Sequence, residues 1–190
     1  MDLVELYRYF AKFVPLDVLK KNYIKSGNEK DAAQIQAEVM ADESNRRIAS
    51  IGDFIYIGDS DFVLQKLRNS NKQLLMVDSD RINYTPGVDD GSKMSLGISV
   101  CEHYNRSNTD VVSELATQNR CLETLKKICR AISADAENEC LLGMHLEGDF
   151  EIRFLDAKAL NGLIGYTAFF TFIASDYEQA TTNSPTDHRS

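Results

Sequence analysis

The sequence predicts an α+β fold, in which a mostly antiparallel sheet packs against one long helix and further helices precede the sheet. Two observations support this prediction. In segments 94–101 and 164–173, apolar residues alternate with polar or small ones, as in strands with one buried face. Between them, residues 110–133 hold apolar residues at spacings of three, four and seven, which is typical of a helix that faces a sheet or a partner helix. This apolar stripe consists of Leu115, Leu122, Leu125, Cys129 and Ile132.

The first 50 residues predict two helices. In the first helix, apolar side chains recur at helical spacing until Pro15, which cannot continue a helix. The second helix, within 29–49, is rich in Ala, Gln and Glu, but its apolar stripe through Ile35 and Ile48 is thin. A thin stripe is typical of an exposed or docking helix. We therefore expect residues 1–50 to form a helical extension beside the core.

The core domain is predicted to span residues 51–175. Its first strand lies at 51–57, where β-branched and aromatic residues dominate. A second, continuously apolar strand is predicted at 73–77, after one or two helical turns at 61–71. Residues 78–93 then predict a turn-rich loop or a long hairpin.

Two more strands are predicted after the long helix, at 141–146 and 149–156. Residues 147–149, Glu-Gly-Asp, suit a hairpin turn between them. The strand at 164–173 closes the domain. Residues 176–190 hold few apolar side chains and predict a polar, disordered tail.

The last predicted strand has two unlike faces. One face is apolar throughout and should join the core: Ile164, Tyr166, Ala168, Phe170 and Phe172. The other face is mixed: Gly165, Thr167, Phe169, Thr171 and Ile173. A mixed face packs against something less complete than a core, such as a neighbouring subunit or a short helix.

The charge balance limits the possible partners. The chain of 190 residues has 29 acidic and 21 basic residues, which gives a net charge of -8. Such a surface disfavours nonspecific binding to nucleic acid or to an anionic membrane. No apolar run approaches the roughly 20 residues of a membrane span, and the N-terminus does not read as a secretory signal. We expect a protein made in a cytoplasm.

The four cysteines are Cys101, Cys121, Cys129 and Cys140. They form no CxxC pair, and no histidine lies at zinc-finger spacing from them. Cys121 and Cys129 are near one face of the predicted helix, where cysteine packs as a small apolar residue. In a reducing compartment we expect free, mostly buried thiols without a metal or redox role.

The sequence lacks a recognisable catalytic set. It has no glycine-rich phosphate loop, and its serines lie outside nucleophile-elbow patterns. His103, His145 and His188 are scattered, without the neighbours that tune a base or a metal ligand. We therefore predict that the protein is not an enzyme and uses no cofactor or metal.

Four aspartates mark the segment 78–93: Asp78, Asp80, Asp89 and Asp90. Carboxylates at alternate positions can chelate a hard cation, so a small-ligand or metal-binding module is an alternative function. Their spacing does not match the twelve-residue calcium loop, and an exposed, solvated acidic loop is the favoured interpretation.

Four stretches follow one another as strand with short helix, strand entering a loop, strand with long helix, and closing strand. They are GDFIYIGDSDFV, KQLLMVDSDRINY, SLGISVCEHYNRSNTDVVSELATQNRCLETLKKICRAI and DAKALNGLIGYTAFFTF, and they span roughly residues 51–173. In this order they resemble the tail-terminator and neck-type structural proteins of tailed bacteriophages, especially divergent forms from phages and prophages of gut Bacteroidetes. The likeness is one of architecture, since no stretch is a catalytic signature.

The resemblance implies a structural virion protein that forms a ring, commonly of six subunits, between the tail tube and the head connector. A head-completion or other neck protein is the alternative role. The implied partners are copies of itself and other neck and tail proteins, with DNA only passing through the channel and no membrane. It would be assembled in the cytoplasm of the host bacterium and would reside in the virion.

Within this interpretation, the candidate subunit interface is the mixed face of the last strand, namely Gly165, Thr167, Phe169 and Thr171. The segment 78–93 would contact the next ring or line the channel. The net acidity fits a channel that repels phosphate.

Overall fold

The fold combines four helices and one five-stranded sheet in the part of the chain that the structure describes. The structure is a computed structural model, and it describes residues 3–22, 30–43, 45–56, 72–83, 92–104, 110–138, 144–155 and 162–174. The helices are α1 (Leu3–Ala11), α2 (Leu16–Asn22), α3 (Lys30–Ala41) and α4 (Val111–Glu137). The strands are β1 (Ile51–Tyr56), β2 (Gln73–Asn83), β3 (Ser92–His103), β4 (Met144–Leu155) and β5 (Leu163–Ala174).

The strands form a single sheet in the order β1-β2-β3-β5-β4. Only the β1–β2 pair is parallel, and the other three pairs are antiparallel. Helix α4 packs across β3, β5 and β4. The predicted α+β class, with a mostly antiparallel sheet against one long helix and helices at the N-terminus, is confirmed.

The main core lies between α4 and one face of the sheet. Every residue on the apolar face of β5 is buried except the half-buried Tyr166, as the alternation predicts. In β3 the residues at Met94, Leu96, Ile98 and Val100 pair with that face and are buried with it. Helix α4 contributes its buried stripe: Cys121, Leu125, Ile128, Cys129 and Ile132.

The N-terminal helices belong to the same core. Leu6 and Phe10 of α1, and Val14 just after it, are at most 1% exposed within the cluster that also holds Leu125. Tyr7 contacts Phe54 of β1, with ring centroids 5.7 Å apart. These helices are therefore not the peripheral extension that the thin stripe of the second predicted helix suggested. That stripe belongs to α3 alone, whereas the apolar side of α1 is broad.

The helix boundaries differ from the predicted ones at three places. Helix α2 was not predicted, although Pro15 immediately precedes it and proline favours a helix start. Helix α3 ends at Ala41 rather than near residue 49. Helix α4 is capped by Asp110, whose carboxylate accepts a hydrogen bond from the Ser113 backbone N–H at 2.8 Å, and it continues to Glu137.

A buried charge cluster fixes the C-terminal end of α4. The Tyr9 hydroxyl donates to Asp135 Oδ2 at 2.7 Å, and Arg46 Nη2 donates to Asp135 Oδ1 at 2.6 Å. Burial alone would raise the pKa of Asp135, but the hydrogen bonds from Arg46 and Tyr9 outweigh it and hold the pKa below its usual range. The cluster thus joins α1, the segment before β1 and α4.

The two strands predicted at 141–146 and 149–156 are wrong for the described residues. Residues 144–155 form one strand, β4, and both of its halves pair with β5. The register shifts between Glu147 and Glu151, where Gly148 has a φ of 72°. The Glu-Gly-Asp signal is therefore a bulge within one strand, because glycine accommodates the left-handed conformation there.

The two described ends of the segment 78–93 belong to strands. Strand β2 continues through Asn83 and β3 begins at Ser92, and the two pair antiparallel across the shift between Asp78 and Arg81. This agrees with the long hairpin rather than the turn-rich loop. The predicted helical turns at 61–71 and the predicted tail at 176–190 lie outside the described residues.

Candidate interaction surfaces

The face of the sheet opposite α4 carries a ladder of polar pairs across β3 and β5. Ser99 Oγ and Thr167 Oγ1 are 2.7 Å apart, and Ser95 Oγ and Thr171 Oγ1 are 3.4 Å apart. These pairs satisfy their hydroxyl groups within the sheet. The mixed composition of this face is thus explained in part by contacts inside one chain.

Phe169 is the large exposed apolar side chain on this polar face. It is 38% exposed, and its ring lies over Gly97, where an added Cβ would be 3.4 Å from Cε1 of the ring. The Arg153 guanidinium lies 5.2 Å from the ring centroid, a distance suited to a cation–π contact. Phe169 is therefore partly covered by its own chain, and its exposed part remains for a partner.

The four residues of the candidate subunit interface have different environments. Gly165 is buried, and a Cβ there would lie 2.1 Å from the Val100 carbonyl oxygen, so it serves close strand packing. Thr167 and Thr171 are half-buried in the polar ladder. Phe169 is the member with substantial exposure. Gly165 consequently cannot present a surface to another subunit.

One end of this face is apolar and closed. Ile55, Leu74, Cys101 and Leu163 form a second buried cluster there.

Cys101, Cys121 and Cys129 are free and buried, which confirms the prediction for these three; Cys140 lies outside the described residues. Burial raises the pKa of the Cys121 thiol and of the Cys129 thiol to about 12.

The candidate acidic residues are only partly covered by the structure. Asp78 is exposed on β2, and Asp80 lies two residues further along the same strand. Asp89 and Asp90 lie outside the described residues. Among the residues that are described, no group of three or more His, Cys, Asp or Glu side chains could hold a metal ion.

The two histidines that the structure describes lie on different strands. His103 at the end of β3 and His145 on β4 are both exposed, and His188 lies outside the described residues. Within the described ranges, neither His103 nor His145 belongs to a group of three or more His, Cys, Asp or Glu side chains that could hold a metal ion.

Sequence reasoning missed a cluster of exposed apolar residues at the start of α4. Val111, Val112 and Leu115 are 72%, 75% and 57% exposed. With the flanking acids Asp110 and Glu114, they form what we call the apolar turn. The sequence signal was the Val-Val pair directly after the N-cap; Leu115 had been assigned to the buried stripe of the helix, and that assignment is wrong.

A groove between α4 and β4 was also not predicted from the sequence. The α4–β4 groove has a volume of about 340 Å³, and its lining includes Lys126, Cys129, Arg130, Phe150 and Ile152. Ile152 is 37% exposed, and Phe154, two residues further along β4 on the same face, is 46% exposed. The groove therefore has an apolar floor, and two basic residues border it.

Strand β4 forms one edge of the sheet, and no other described strand pairs with its outer side. Its exposed residues include Glu147, Glu151 and Arg153, and Gly148 lies at the bulge. Charged side chains and bulges are the devices that keep edge strands from pairing with other chains. The groove face of β4, rather than its hydrogen-bonding edge, is thus the surface suited to a partner.

No helix within the described ranges has the length and apolar character needed to span a membrane. No known protein family, curated protein or solved structure matches this chain.

Proposed function

We propose that this protein is a structural subunit that associates with copies of itself into a ring, in the manner of the tail-terminator or neck proteins of tailed bacteriophages. The observation that carries the proposal is the position of its exposed apolar side chains. In the described part of the chain, seven large apolar residues are at least 37% exposed: Leu3, Val111, Val112, Leu115, Ile152, Phe154 and Phe169. Six of them lie on α4, β4 or β5.

These side chains fall at separate places on the surface. Val111, Val112 and Leu115 belong to the apolar turn, whereas Ile152 and Phe154 lie on β4. Clustered exposed apolar groups that are bordered by polar residues mark protein interfaces, because burying them in a partner removes them from water. Two different surfaces on one chain allow head-to-tail association, and head-to-tail contacts generate a ring when the rotation between neighbouring subunits closes on itself.

Two sequence properties favour the neck of a phage as the setting. The order of strands and helices resembles tail-terminator proteins, and the net charge of -8 suits a channel through which DNA must slide. The partners in this setting are further copies of the chain and other neck and tail proteins. A head-completion protein would use the same kind of surfaces, so the position of the subunit in the particle distinguishes the two roles.

Size-exclusion chromatography with light scattering tests self-association, and electron microscopy of the purified assembly tests the ring. We expect one discrete oligomer, commonly a hexamer in this class of protein, with a central channel. Mass spectrometry of purified tailed particles, followed by labelling with an antibody against the chain, should place it between head and tail. A monomer at all concentrations, absent from particles, would contradict the proposal.

A further inference from the structure

We propose that the apolar turn of one copy binds in the α4–β4 groove of the next copy. This inference rests on the self-association in the proposed function, and it names the two surfaces that meet. The apolar turn offers Val111, Val112 and Leu115, which are among the most exposed apolar side chains of the described chain. The groove offers Phe150 and Ile152 as an apolar floor.

Charge is complementary between the two surfaces. The apolar turn is flanked by Asp110 and Glu114, and the groove is bordered by Lys126 and Arg130. Arg130 is exposed and forms no ion pair with any described residue, whereas Lys126 contacts Glu123 at 3.2 Å. One acid, Glu137, also lines the groove. Arg130 is therefore the cation most available to an incoming carboxylate, and such complementarity fixes the register of a contact.

Within one chain, the apolar turn cannot reach the α4–β4 groove. Val112 and Arg130 lie on the same continuous helix, about 27 Å apart along its axis at 1.5 Å per residue. A straight helix cannot bend its first turn back onto its own groove. The contact therefore joins two copies, and since it uses different surfaces on each copy, it is the head-to-tail type that a ring needs.

A mixing experiment tests the pairing of the two surfaces. The first variant, Val112→Ser with Leu115→Ser, damages the apolar turn and leaves the groove intact. The second, Arg130→Glu with Ile152→Thr, damages the groove and leaves the apolar turn intact. All four positions are outside the buried core, and circular dichroism melting checks that both variants fold.

Each variant alone should be monomeric by light scattering, while the wild type forms its ring. An equimolar mixture should give a dimer containing one copy of each variant, by native mass spectrometry, because one intact turn then meets one intact groove. If folded variants assemble like the wild type, or if their mixture stays monomeric, the pairing is wrong although self-association stands. A monomeric wild type would instead remove the proposed function as well.

A charge exchange within one chain sharpens the test. Glu114→Arg alone and Arg130→Glu alone should each raise the dissociation constant at least tenfold, a change that corresponds to 1.4 kcal/mol. The chain with both changes should recover most of the affinity, because each contact again joins opposite charges. Lys20→Glu on the exposed side of α2 is the control and should leave the affinity unchanged. Failure of the double variant to recover would contradict the proposed register.

Discussion

The two ends of α4 are stabilised in different ways. At the C-terminal end, Asp135 is 5% exposed and bonds to Tyr9 and Arg46 from two other parts of the chain. At the N-terminal end, Val111 and Val112 are more than 70% exposed, and the Asp110 side chain caps the first turn. One helix therefore serves internal stability at one end and, in our proposal, assembly at the other.

The largest contrast should come from the same substitution at two positions of α4. Leu125→Ala removes a side chain that is 0% exposed in the core and should lower the free energy of unfolding by about 3 kcal/mol. Leu115→Ala removes one that is 57% exposed and should change it by less than about 0.5 kcal/mol. Urea denaturation in dilute solution measures both. Equal losses would mean that the first turn is buried in the monomer.

Breaking the charge cluster should have the next largest effect. Asp135→Ala leaves the Arg46 guanidinium and the Tyr9 hydroxyl without their shared acceptor and should cost about 2 kcal/mol. The loss is moderate because the Arg46 side chain is 37% exposed and can regain water. Tyr9→Phe, which keeps the ring, is the matched variant and should lose about half as much. Stability unchanged in both variants would contradict a structural role for the cluster.

The same cluster predicts the direction of a pH dependence. The pKa of Asp135 is lower in the folded protein than its ordinary value of 3.8. Its ionised form therefore adds stability above about pH 4, and this contribution is lost as the pH falls through the folded pKa. Urea titrations from neutral to acid pH should show a smaller acid loss in Asp135→Asn than in wild type. If Asp135→Asn and wild type lost the same free energy of unfolding between neutral and acid pH, the prediction would be wrong.

The smallest effect should follow the loss of the N-cap. Asp110→Ala removes the acceptor of the Ser113 backbone N–H, so that amide should exchange its hydrogen faster. Amides near Asp135 should keep their wild-type rates. Asp110→Ser, which can still cap, is the control and should restore most of the protection at Ser113.

Local patterns predicted the strands β3 and β5 and the helix α4 well, because one buried face imposes a period that a few neighbouring residues reveal. They failed at β4, where Gly148 signals a turn and only the pairing of both halves with β5 makes it a bulge. They also failed for α1, since its place in the core depends on contacts with distant residues such as Phe54.

The candidate surfaces were harder to predict than the fold. Phe169 was identified because its exposure follows from the alternation along one strand. Leu115 was not, because helical periodicity does not tell which residues of a stripe extend beyond the sheet that the helix covers. The α4–β4 groove joins residues of a helix and of a strand that lie up to 26 positions apart, so it depends on tertiary packing alone.

The buried thiols give this protein a built-in reporter of opening. Because Cys101 and Cys121 are 0% exposed and burial raises the pKa of both thiols, an alkylating reagent should react with them only when the surrounding structure separates. Peptide mass mapping after timed alkylation would then show which part of the sheet and helix opens first, without a dye or an engineered label.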